Sequence, residues 1–281
     1  MSFAEFIVRA SDFGIYDLFG SGLIRLIIGD GTGPAWLPAV LLGVGFMLCI
    51  IVPYLLGSVN TALLVSKFIF HDDVREHGSG NAGTTNVLRT YGKKAAIITF
   101  AGDALKGVIA VLFACLLFGH PKTEYSYIHL LTAAYMAAFF CIFGHIFPIF
   151  SRFRGGKGFA TLAGVLLVLD PFIFVLLFLF YVPMVLLSHY ISLSSVVAAL
   201  FYPMILSVID RVVTGMGVHV LFSVMMGVLI TWAHRSNLRR IFDGNERKFY
   251  LFKPKVITAA PAEQTEKSEA QDARADDGSE E

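Results

Sequence analysis

The sequence predicts an all-α, polytopic membrane protein of about seven spanning helices, and three observations carry that prediction. First, 56% of the 281 residues are hydrophobic and only 15% are charged, where a soluble domain has about 45–50% and about 25%; mean hydropathy is +0.70. Such a chain has too little polar surface to cover itself in water. Second, its apolar residues fall into runs of spanning length. Third, its lysines and arginines sort onto alternate connections between those runs. The formal net charge of +1 hides an asymmetry, because basic patches are offset by an acidic C-terminal stretch.

In chain order, residues 1–35 read as an N-terminal extension. Asp12, Asp17, Arg25 and Asp30 interrupt any clean apolar core, so a secretory signal peptide is not expected. Residues 13–28 fit either an interfacial amphipathic helix or an unstructured extension. Residues 36–257 are the membrane domain. A spanning helix needs roughly 20 apolar residues, and runs at 37–56, 95–118, 127–150, 171–188, 194–209 and 218–233 meet that need. Residues 159–169 are strongly apolar but short, with a glycine-rich start that suits non-helical backbone inside a protein-lined cavity. Counting that run, the chain crosses seven times and its termini lie on opposite sides. Residues 258–281, rich in Ala, Glu, Asp, Ser and Gln without an aromatic residue, read as a disordered acidic tail.

The positive-inside rule then sets orientation. Arg75, Arg89, Lys93 and Lys94 follow the first run, Arg152, Arg154 and Lys157 the third, and Arg235, Arg239, Arg240, Arg247 and Lys248 the last. All three groups are expected on the cytoplasmic side, with the N-terminus outside.

Within those groups lie three patches that carry chemistry. Gly78-Ser-Gly-Asn-Ala-Gly-Thr-Thr-Asn-Val-Leu-Arg89 joins glycine-freed backbone to neutral donors (Ser79, Asn81, Thr84, Thr85, Asn86) and the planar fork of Arg89. A helix-capping turn with Arg89 toward lipid headgroups is the plainer reading. Gly155-Gly-Lys157-Gly158 opens the short apolar run, where free N–H groups, the helix dipole and the Lys157 charge suit a phosphate; no Walker A pattern is present. His234 and Asn237 are three apart and share a helical face, and an imidazole suits proton transfer near neutrality. Glu246 is placed to brace the arginines. Inside the second run Asp103 and Lys106 are also three apart; intramembrane charges are expensive, and both a functional role and a mutual structural salt bridge stay open. His145, before Pro148, reads as a packed residue, and Cys49, Cys115 and Cys141 read as packing groups rather than disulfides or metal ligands.

Together these residues resemble the three cytoplasmic motifs of the bacterial acyl-phosphate:glycerol-3-phosphate acyltransferase family, over about residues 37–246. Gly57-Ser58, Asp103-Ala-Leu-Lys-Gly107 and Gly144-His-Ile-Phe-Pro148 add to the likeness. Ala82 and Thr84 depart from it, standing where the family usually has proline and alanine, and Asn60 stands where proline is common. The resemblance implies acyl transfer from acyl phosphate to the 1-hydroxyl of sn-glycerol 3-phosphate, giving lysophosphatidic acid and phosphate. It implies catalytic roles for Ser79, Arg89, His234 and Asn237. Substrate contacts would come from Asn81, Thr85, Asn86, Gly155, Gly156, Lys157, Gly158 and Lys106, with Glu246 and Asp103 structural. The expected partners are acyl phosphate, glycerol 3-phosphate and membrane lipid, with no nucleic acid, cofactor or metal. A membrane transporter for organic phosphates is the alternative, on the Asp103–Lys106 pair and the glycine breaks near helix ends.

Overall fold

A computed structural model describes residues 22–28, 34–119, 124–213 and 217–250. The chain divides into two compact units, Met1–Lys248 and Phe249–Glu281; all helices below belong to the first. Among the described residues there is no strand. The helices are α1 Leu23–Ile28, α2 Leu37–Ser58, α3 Thr61–Phe70, α4 Thr84–Tyr91, α5 Lys93–Phe118, α6 Glu124–Ile146, α7 Phe159–Leu169, α8 Pro171–Ser188, α9 Ile191–Val213, α10 Val218–Ala233 and α11 Arg235–Phe242, with short 3₁₀ turns at Val74–Glu76 and Ile149–Ser151.

Five of these segments are long and apolar enough to cross a membrane, and six if α10 and α11, bent by 55°, are taken as one. The seventh expected crossing is α7. At about 1.5 Å per residue its 11 residues extend only about 16 Å, against a hydrocarbon core of about 30 Å. The other expected spans match helices within a few residues. Two elements lie outside the expected runs: α3, which follows α2 after a break at Val59–Asn60, and α4, which lies inside the long connection after it. Within residues 1–35, α1 packs on α2 and α5 and sends Ile24 into the core. The expected acidic tail at 258–281 lies outside the described residues.

Burial is inverted relative to a soluble protein. Large apolar side chains such as Phe178, Leu179 and Leu187 on α8 stand exposed, while Thr99, Asp103, Lys106, His145, Ser223, His234 and Asn237 are buried. Polar groups are thus held inside the helix bundle and apolar ones face outward, as lipid requires. Close helix contacts use small residues. A Cβ on Gly57 would overlap the Cys141 carbonyl and one on Gly144 the Tyr54 carbonyl, which fixes α2 against α6; Gly107 and Gly164 fix α5 against α7 in the same way. The main core joins α1, α2 and α5 through α10. A smaller one, of Ala62, Val65, Val74, Ala82, Val87, Ala95 and Ala96, lies under the connection from α3 to α5 and gives that loop a floor.

Candidate active site

The first loop is built around Asn86. Its side chain is buried at the start of α4, donating to the carbonyls of Val74 (2.8 Å) and His77 (3.0 Å) and accepting from the Ser79 N–H (2.9 Å). Gly78 and Gly80 have φ of 59° and 69°, and a Cβ on Gly78 would overlap the Asn86 amide oxygen. Glycine is therefore required where the backbone wraps that amide. Asn60, at the cap of α3, donates to the Ala82 carbonyl (3.4 Å) while accepting from the Leu63 N–H (3.0 Å). The loop is held from both flanks, and Ser79 stands exposed on its outer turn.

The second loop turns back under α6. The Gly156 N–H donates to the His145 carbonyl at 3.1 Å, whereas the N–H groups of Gly155, Lys157 and Gly158 find no acceptor among the described residues. Gly158 (φ 83°) caps α7. Free N–H groups at a helix start form a concavity suited to an anion.

The third part is the end of α10 and α11. Lys157 donates to Asn237 Oδ1; Asn237 Nδ2 donates to Glu246 Oε1 at 2.7 Å. Ser192 Oγ donates to the same carboxylate oxygen at 3.0 Å and Arg240 Nε to the other at 2.7 Å. A continuous polar chain thus runs from the glycine loop through α11 to α9. Because the lysine is a donor only, the orientation of the Asn237 amide follows.

These elements enclose a cleft of about 280 Å³, lined by Ser79, Asn81, Gly155, Gly156, Lys157 and Asn237 together with Arg154, Arg235, Ser236 and Arg240. Four cations and no carboxylate are among the described lining residues, so the cleft selects anions. The Arg235 guanidinium lies 3.8 Å above the Trp232 ring and donates to the Trp232 carbonyl, which fixes its direction. Burial pushes the Lys157 amine down to about 8; Glu246 opposes the fall, and Arg240 and Arg89 add to it. Burial raises the Glu246 carboxyl, but hydrogen bonds from Asn237, Arg240 and Ser192 outweigh it and hold the group below its ordinary value. His234, between α10 and α11, is pushed down to about 4 by burial and then by Lys157. Its Nδ1 lies 2.8 Å from the Ile230 carbonyl; a carbonyl only accepts, so Nδ1 carries the proton and Nε2 is the ring's acceptor.

The structure does not gather every expected residue into the cleft. Arg89 is exposed at the rim, donating to the Arg247 carbonyl at 3.4 Å. Thr85 and Asn86 lie behind the first loop, and the Asn86 amide is fully engaged there. Gly158 and His234 sit beneath the lining. Lys106 and Asp103 form a separate buried group, an ion pair at 2.9 Å. His145, read as packing, belongs to that group, at 2.6 Å from Lys106; its signal was the Gly144-His-Ile-Phe-Pro148 run. Ser192 had no signal, since nothing in sequence links it to Glu246, 54 positions away.

A family model described as glycerol-3-phosphate acyltransferase matches residues 47–244. A protein named glycerol-3-phosphate acyltransferase from Paraburkholderia phytofirmans is 39% identical over 212 residues, covering 75% of this chain and 94% of its own length. One of the same name from Bacillus cytotoxicus is 41% identical over 201 residues, covering 72% and 93%. Among solved structures, the glycerol 3-phosphate form of PlsY (YgiH), an integral membrane glycerol 3-phosphate acyltransferase, superposes with a TM-score of 0.63 at 31% identity, covering 73% of this chain and 96% of that one. Its lysophosphatidic acid form gives 0.61 at 30%, covering 73% and 95%.

Proposed function

The chain belongs to the glycerol-3-phosphate acyltransferase family, and on that premise we propose that it transfers an acyl chain from acyl phosphate to the 1-hydroxyl of sn-glycerol 3-phosphate, releasing lysophosphatidic acid and phosphate. It is a multi-pass membrane acyltransferase. The observation that carries the finer reading is the polar chain Lys157–Asn237–Glu246 beside the free N–H groups of the glycine loop. It places a fixed cation and unpaired donors together in a cleft of a size for a small phosphorylated acceptor. The occupation of related structures by glycerol 3-phosphate and by lysophosphatidic acid supports the acceptor and the product.

In this reading Gly155, Gly156 and Lys157 hold the glycerol phosphate, Gly158 sets the loop from beneath them, and Asn81 and Arg235 also line the cleft. The hydroxyl oxygen attacks the carbonyl carbon of the mixed anhydride; the new C–O bond forms as the bond to the phosphate oxygen breaks, and the hydroxyl proton leaves with the departing phosphate. Positioning supplies much of the acceleration, and Ser79 and Asn237 donate to the charge that develops. Arg89 neutralises the donor phosphate from the rim. A ring depressed to about 4 is a weak proton acceptor at neutral pH. His234 acts from beneath the lining, where it holds the junction of α10 and α11, and a phosphate oxygen of the donor takes the proton. Asn86 and Thr85 act through the loop, Asn86 by its three hydrogen bonds. Glu246 braces Asn237 and Arg240, and Asp103 and Lys106 act from behind the loop. The basic loops face the cytoplasm of a bacterial inner membrane, with the N-terminus outside.

The test is phosphate release by the detergent-purified protein given palmitoyl phosphate, with and without glycerol 3-phosphate. Release that requires both, with lysophosphatidic acid appearing in step and lost in Ser79→Ala, is expected. Binding of both compounds without release by folded protein would instead favour an organic-phosphate carrier.

A further inference from the structure

Behind the glycine loop, outside the cleft lining, lies a second polar cluster. The Lys106 ammonium donates to the carbonyls of Gly57 (3.2 Å) and Val59 (3.1 Å) at the end of α2, pairs with Asp103 Oδ1 at 2.9 Å and meets His145 Nδ1 at 2.6 Å. All three side chains are buried, at 1% (Asp103), 4% (Lys106) and 3% (His145) exposure. The other edge of the imidazole faces the loop. A Cβ on Gly156 would overlap His145 Nε2, and one on Gly155 would overlap the His145 carbonyl oxygen that accepts from Gly156 N–H. The Ala82 carbonyl stands beyond Gly156, 3.0 Å from where a Cβ on that glycine would sit, so both loops of the cleft meet above this ring.

We propose that Asp103, Lys106 and His145 form a positioning relay for the phosphate-binding loop, with His145 held as the Nε2–H tautomer so that its N–H supports the loop from behind at Gly156. The tautomer follows from donor counting. An ammonium has donors and no acceptor, so the atom it meets at 2.6 Å must accept. The competing arrangement, Nδ1–H to Asp103, requires a hydrogen bond over 3.6 Å, which is too long, and leaves two donors facing each other at Lys106. With Nδ1 accepting, the ring proton is on Nε2, the edge against the glycines. Asp103 fixes the lysine, the lysine fixes the ring, and the ring fixes the spacing between Gly156 and the body of α6. The absence of a side chain at residue 156 is what lets the ring edge come this close. The relay also joins the end of α2, through Gly57 and Val59, to the loop that Asn60 steadies at Ala82.

The inference rests on the reading that this loop holds the acceptor phosphate, and the experiment separates the two. His145→Asn keeps a side-chain acceptor near Lys106 and removes the ring edge from Gly156. In detergent-purified full-length protein it is expected to raise KM for glycerol 3-phosphate by about tenfold or more, with kcat and KM for palmitoyl phosphate within about twofold. A folded variant with unchanged KM for glycerol 3-phosphate overturns the relay. Lys157→Met is measured beside it: if that variant also leaves this KM unchanged, the loop assignment has failed rather than the relay alone. Should His145→Asn not fold, ¹⁵N spectra of histidine-labelled wild-type protein decide. Protonated Nε2, with a resonance that moves on addition of glycerol 3-phosphate, is expected; a proton on Nδ1, or a resonance unmoved by saturating substrate, overturns the proposal.

Discussion

If Lys157 holds the acceptor phosphate as proposed, it ties that affinity to pH. Its amine falls from an ordinary 10.5 to about 8, first because it is buried, so the ammonium form dominates by about tenfold at pH 7 and the amine by about tenfold at pH 9. If the ammonium contacts the phosphate, losing its charge removes a charge-assisted hydrogen bond worth about 1.5–3 kcal/mol. KM for glycerol 3-phosphate should therefore be level at about pH 7, rise by about tenfold per pH unit above 8, and flatten after an increase of roughly 10–100-fold. Folding stability should move the other way. The folded protein binds fewer protons than the unfolded chain between about 8 and 10.5, so this group adds stability as pH rises through that window. Lost affinity near pH 9 is thus not unfolding driven by Lys157. The assay is initial-rate phosphate release at saturating palmitoyl phosphate and varied acceptor, from about pH 7 to about 9.5, with Lys157→Arg in parallel. The arginine stays charged throughout and, although its planar head fits less well, its KM should lack the break. A wild-type KM flat to about pH 9.5, or the same break in Lys157→Arg, would refute the argument.

Three further outcomes follow from the packing. Gly155→Ala sets a methyl against the His145 carbonyl oxygen, with Pro148 Cδ at 2.6 Å and the Ile146 carbonyl at 2.8 Å; these neighbours are backbone and a proline ring, so the loop must move, costing about 1–3 kcal/mol and raising KM for the acceptor in steady-state kinetics. Asn86→Ala removes its three bonds to the first loop; the Val74 and His77 carbonyls keep the N–H groups of His77 and Gly80, so the cost is about 0.5–1.5 kcal/mol per lost bond; kcat/KM for both substrates should fall together, and a variant with normal kinetics would show that the loop holds itself. Lys106→Met leaves Asp103 charged and buried without its partner, which costs about 3–5 kcal/mol, visible as a lowered Tm in detergent, and Asp103→Asn/Lys106→Met together should recover much of that loss.

The apolar runs made the bundle legible, because spanning length and hydropathy depend on local composition alone. The short α7 was legible with both its ends, as an apolar run closed ahead of Pro171; what was not legible is that Asp170, between the two helices, accepts from the hydroxyls of Tyr135 (2.9 Å) and Tyr202 (2.7 Å) on other helices. Of the cleft, the residues with glycine or charge signatures were visible: Ser79, the Gly155–Gly158 loop, Lys157 and Asn237. Asn86 was visible as a polar residue but not as the organiser of its loop, because the carbonyls it binds lie 9 and 12 positions back. Ser192 was hidden for the same reason, and His145 showed only as part of the Gly144-His-Ile-Phe-Pro148 run, without its partners. Their chemistry is ordinary, and only the tertiary fold gives them partners.

The chain Lys157–Asn237–Glu246–Ser192 has a consequence for biogenesis. Its members come from the connection before α7, from α11 and the turn after it, and from the start of α9, with Glu246 nearly the last residue of the unit that ends at Lys248. Domains form as the ribosome delivers them, N-terminal parts first. A nascent chain that has inserted α2 through α10 has both glycine loops but no carboxylate to anchor Asn237. The cleft therefore closes only after translation has passed Glu246, and a polypeptide that stalls or is clipped before it lacks the carboxylate that anchors Asn237 and Arg240.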